Sequence, residues 1–104
     1  MGERLKVVYE ITYPNGKVYI GLDLTGTAMY FGSPSERDRI AEDLGEFGYR
    51  DFTVRKRILW ESWTATEQEA RAQEVRLIRE RRANDPDVGY NRWPKYSTPT
   101  ESQT

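Results

Sequence analysis

A chain with neither histidine nor cysteine has few ways to do hydrolytic chemistry. Serine–histidine and cysteine–histidine arrangements are excluded, and so are thiolate zinc sites and disulfides. What remains is carboxylates, tyrosines, amides, Lys, Arg and a hard cation such as Mg²⁺, which prefers oxygen ligands. One carboxylate stands out. The segment from Thr66 to about Ala83 carries an apolar stripe on Ala70, Leu77 and Ile78. At helical spacing Glu74 lies about 40° past Ala70, between Leu77 and Ile78. A carboxylate there is costly unless it is paired or holds a cation. A salt bridge to one of the arginines or to Lys56 and a role as metal ligand both remain open.

Glu74 must be positioned by a helix, and that helix has a start signal. Thr66 is followed three residues later by Glu69, the pattern of a capping box. Asn84, Asp85, Pro86 and Asp87 end it. Upstream, residues 5–13 and 17–21 are rich in β-branched and aromatic types around Pro14-Asn15-Gly16, which predicts a hairpin. A two-residue Asn-Gly turn would put Pro14 in a ladder position, where it can donate nothing. A type I turn followed by Gly16 in a left-handed bulge fits better. Tyr13 then opposes Lys17, Ile11 opposes Tyr19, and Tyr9 opposes Gly21. Alternation puts Tyr9, Ile11, Tyr13 and Tyr19 on one face and Val8, Val18 and Ile20 on the other. Residues 22–34 lack a period, and Gly26, Gly32 and Pro34 mark a loop. A first helix is expected from Ser35 as N-cap to about Glu46, and a third strand over 51–60.

Val7-Val8-Tyr9, then Tyr19-Ile20-Gly21, then a helix with an inward Glu74, then Gly89-Tyr90-Asn91 occur in that order. Together they resemble the GIY-YIG nuclease family across nearly all of residues 7–91. The resemblance implies an α+β fold, a small antiparallel three-stranded β-sheet flanked by helices. It implies metal-dependent hydrolysis of DNA phosphodiester bonds, one strand at a time. Tyr9 and Tyr19 would lie in the active site, one of them deprotonating the attacking water. Glu74 would ligate a single Mg²⁺ or Mn²⁺, and Asn91 would position the metal or phosphate shell. Gly21, Gly89 and Tyr90 belong to the motifs themselves. The chain departs from the pattern at Val7, where the family has glycine, and at Met29, where it has an arginine. No Arg or Lys occurs between Lys17 and Arg37. Arg39 is the favoured substitute, with Arg55 and Lys56 the alternative. Without a substitute the domain would be a catalytically silent nucleic-acid-binding or scaffold module.

Other features carry less. Arg55, Lys56 and Arg57 form the best candidate for a phosphate-attracting patch. Arg92 and Lys95, interleaved with Trp93 and Tyr96, read either as a strand-binding surface or as solvated charges beside a packed Trp93. Tyr30 and Phe31 are expected to plug the core, and Trp60 and Trp63 to pack in the core or at an edge. Arg76, Arg79 and Arg82 read as a solvated helix face with pairs such as Arg76–Glu80. With 16 basic against 17 acidic residues, a globally basic nucleic-acid coat is excluded, but a local one is not. The length and 37% hydrophobic content fit one domain over 1–96, and the polar composition of 97–104 predicts a disordered tail. No apolar run spans a membrane and none follows the first six residues, so a cytoplasmic or other intracellular location is expected. A single small domain also points to low intrinsic sequence specificity or a DNA-targeting partner protein. A generic interaction domain with a salt-bridged Glu74 is the remaining alternative.

Overall fold

The computed structural model describes residues 4–26 and 36–96, and of residues 46–49 the backbone alone. Met29, Tyr30, Phe31, Gly32, Pro34, Ser35 and the tail from residue 97 lie outside the described residues. The fold is α+β. Strands β1 (Lys6–Thr12), β2 (Val18–Asp23) and β3 (Arg55–Ser62) form one antiparallel sheet in the order β2-β1-β3, with helices α1 (Arg37–Arg50) and α2 (Glu67–Arg81). Among the described residues no helix is long and apolar enough to cross a membrane.

The hairpin register is the one the turn chemistry requires. Ile11 pairs with Tyr19 and Tyr9 with Gly21. The Tyr13 N–H donates to the Lys17 carbonyl at 2.9 Å, the Gly16 N–H to the Tyr13 carbonyl at 2.8 Å, and Gly16 has φ 85°. Alternation then sorts the core. Val7, Tyr9, Ile11 and Tyr13 face Ile40 and Leu44 of α1, together with Tyr90. Val8 and Ile20 face Leu77 and Ile78 of α2. The sheet is therefore a middle layer with one helix on each side.

Two elements and one side chain differ from expectation. β3 begins at Arg55 because Arg55 pairs with Thr12, the last residue of β1, so residues 51–54 have no strand to join. A β-bulge between Val8 and Tyr9 leaves Leu59 without a partner residue on β1, and both Leu59 and Trp60 pack toward the α2 side. α1 continues past Gly45 and past its expected end near Glu46. That glycine takes φ 61°, kinks the chain, and helical backbone resumes to Arg50. Trp63, expected to pack, is exposed. α2 starts as expected, with Thr66 and Glu69 bonded reciprocally, and ends at Arg82 in the left-handed conformation. Its outer face carries the Arg76–Glu80 pair at 2.8 Å.

Gly21 is a matter of space. A Cβ there would fall on the phenol of Tyr9, which lies across the β2 backbone and is 1% exposed. Gly21→Ala should lower the unfolding free energy measured by urea titration by about 1–3 kcal/mol, the usual cost of overpacking a filled core.

Candidate functional site at the rim of the sheet

β2 is an outer strand, and its free edge is closed by the segment after α2. The Val18 N–H donates to the Val88 carbonyl at 3.1 Å and the Tyr90 N–H to the Val18 carbonyl at 2.9 Å. This is a parallel bridge between Val18 and Gly89. Gly89 must be small here, since a Cβ would strike the carbonyls of Ala83 and Val18. Asn91 then extends the pairing with its side chain. Its Oδ1 accepts from the Ile20 N–H and its Nδ2 donates to the Ile20 carbonyl, both at 2.8 Å. The carboxamide expected to hold a metal or phosphate shell thus acts as one more strand residue.

Tyr90 joins three elements. It is fully buried, its hydroxyl donates to Asp43 Oδ2 and accepts from Asn15 Nδ2, each at 2.8 Å, and its ring meets Tyr13 edge-on at 5.4 Å. Burial, more than the Asp43 charge, pushes its hydroxyl pKa up. The same hydrogen bond, helped by Lys17 at 3.2 Å, holds the Asp43 carboxyl below the usual range. Arg39 lies over the Tyr90 ring at 4.9 Å and donates to the carbonyls of Pro86 at 2.7 Å and Gly89 at 3.1 Å. The favoured substitute cation is therefore fastening the 86–89 loop.

Beside this closed edge lies a pocket of about 220 Å³ lined by Tyr19, Glu74, Ile78, Tyr90, Asn91, Arg92 and Trp93. Its composition follows from the layers. Tyr19 packs with the α1-side cluster and Glu74 comes from α2 on the opposite face, so the two meet around the rim of β2. Tyr9 does not line the pocket. Its ring stands 6.5 Å from that of Tyr19, in the core behind it. Lys56, half-buried, places its Nζ 4.8 Å from the centre of the Tyr9 ring. Arg55 and Arg57 are exposed and alternate to the other face, opposite Thr12 and Glu10, so the three cations do not make one patch. Arg92 pairs with Glu36 at 3.0 Å, Lys95 is exposed, and Trp93 is 71% exposed, so the alternative of a packed Trp93 does not hold.

Glu74 is half-buried, and among the described residues no hydrogen bond or ion pair reaches its carboxylate. Burial pushes its pKa up, against the weaker opposing charge of Arg71 one turn earlier. The buried ion pair expected of this helix is made instead by Arg81, whose Nη1 donates to Glu10 at 3.2 Å. Glu10 was missed because alternation puts it on the Val8 face of β1 but does not name the partner, Arg81, that packs there. No group of three or more acidic side chains able to hold a metal occurs among the described residues. An ion here would have Glu74 as its carboxylate ligand and water for the rest, a set that suits Mg²⁺.

Comparison with protein-family models, with curated proteins and with solved structures returned no match.

Two outcomes follow from this geometry. Asn91→Ala removes both bonds to Ile20, so it should cost about 1–3 kcal/mol and speed hydrogen exchange at the Ile20 amide. Glu74 has a folded pKa above its ordinary 4.5, so its neutral form is favoured by folding. Stability is then full below 4.5 and is lost as pH rises through the folded value. Glu74→Gln carries no such loss. It should melt at a higher temperature than the parent at neutral pH and at the same temperature near about pH 3.

Proposed function

We propose that the chain is a divalent-metal-dependent endonuclease of the GIY-YIG kind that nicks DNA. The observation that carries this is a half-buried carboxylate, Glu74, with no hydrogen-bond or ion-pair partner among the described residues, sharing one pocket with the phenol of Tyr19. An unpaired carboxylate in such a place is a liability for folding and an asset for holding a cation.

A bound Mg²⁺ or Mn²⁺ would supply charge neutralisation on the scissile phosphate and on the leaving 3′-oxygen. Glu74 is the residue to hold it. Tyr19 lines the pocket and Tyr9 does not, so Tyr19 is the phenol to orient the attacking water and take its proton. Its ordinary pKa near about 10 must be lowered for that task, which a neighbouring cation does. Tyr9, packed over Gly21, sets the position of the Tyr19 ring. Lys56, whose Nζ stands 4.8 Å from the centre of the Tyr9 ring, is the cation assigned to the phosphate, and Arg39 is held on two backbone carbonyls. That same commitment of Arg39 favours the second reading, a domain that binds nucleic acid without turnover.

Supercoiled plasmid in Mg²⁺ or Mn²⁺ separates the two. Nicking by the parent, abolished in Glu74→Ala and reduced about 10²–10³-fold in Lys56→Met, is the expected result, as for loss of one transition-state-stabilising group. Glu74→Ala cutting at the parental rate sinks the metal assignment. Binding that weakens with salt, with no product in any divalent metal, supports the silent module.

A further inference from the structure

Trp93 is the most exposed of the exposed large apolar side chains among the described residues, yet its backbone is held on both sides. Two residues upstream, Asn91 grips both backbone groups of Ile20. Immediately downstream, Pro94 is buried and its carbonyl accepts from Asn84 Nδ2. A mobile loop could show an indole to water by chance, whereas a fixed segment shows it in one place. That place is the wall of the pocket that Tyr19 and Glu74 also line. The flanking charges are both positive. Arg92 is tied to Glu36 through Nε but keeps a side chain that is 67% exposed, and Lys95 is exposed.

We propose that Trp93, between Arg92 and Lys95, is a stacking platform for one unpaired nucleobase of DNA, the two cations meeting its flanking phosphates. An aromatic face between cations is how sequence-tolerant single-strand sites are built, because every base offers a π-face and every linkage a charge. A purely apolar peptide side chain would use the indole and leave the cations idle. Bases inside a duplex are already stacked, so the platform selects strands with a base free to leave the stack. Joined to the nuclease proposal, on which only its catalytic consequence rests, the platform makes the substrate DNA with an unpaired nucleotide beside the scissile phosphate: a flap, gap, mismatch or single strand.

The test is fluorescence anisotropy of a fluorescein-labelled short oligothymidylate and of a labelled duplex of equal length, titrated with the full chain without divalent metal, so that the reporter is on the DNA and survives every substitution. The parent should bind the single strand more tightly. Trp93→Ala should lose about tenfold in affinity for it, Trp93→Phe should keep most of it, and Trp63→Ala should bind like the parent. Equal binding of single strand and duplex by the parent, parental affinity in Trp93→Ala, or a Trp93→Phe variant as weak as Trp93→Ala each overturn the platform. Because no cutting is measured, the two proposals fail separately. Trp93-dependent binding without nicking removes the nuclease and keeps the platform. Nicking with Trp93-independent binding does the reverse.

Discussion

An outer β-strand presents a row of unpaired donors and acceptors, and here β2 has its edge closed by its own chain. The closure uses backbone at Val18 and a side chain at Ile20, where the Asn91 carboxamide supplies the donor and acceptor that another strand would have supplied. Almost everything at the rim depends on it. The bridge draws Tyr90 into the core, requires a residue without a side chain at position 89, and delivers Arg92 and Trp93 to the flank of Tyr19.

The polar residues around Tyr90 show how a small domain secures a long-range junction. Asn15 and Lys17 come from the hairpin turn, Arg39 and Asp43 from α1, and all of them converge on one phenol. None of the three segments is adjacent in sequence to the others. Burial makes the unpaired alternative expensive for each group, so the junction holds as a set. Its consequence for chemistry is restrictive. Arg39, the favoured substitute for the missing arginine, is absorbed by the junction and held on backbone carbonyls.

Glu74 is the opposite case. Where Glu10 on the same side of the sheet has Arg81, Glu74 sits half-buried, and among the described residues its charged form is favoured by Arg71 without a direct bond. The proposed ion would reverse the local balance, since the charged form disfavoured by burial is the form that binds a cation.

Much of this was legible in the linear chain. The hairpin register followed from Pro14, which cannot donate to a ladder, and Gly16, which can turn left-handed, and it placed Tyr9 and Tyr19 on one face because side chains alternate. The capping box and the stripe of Ala70, Leu77 and Ile78 located Glu74 on the inward side of its helix. These are short-range rules, and each needs only neighbours a few residues apart. What they could not decide was which cation stands where, that Asn91 would serve as a strand, or that Trp93 would face water. Those outcomes are set by contacts between residues some 50–75 positions apart. Local spacing says which face of an element a side chain occupies. Only the packing of α1 and α2 on opposite faces of the sheet brings Glu74 and Tyr19 together around its rim.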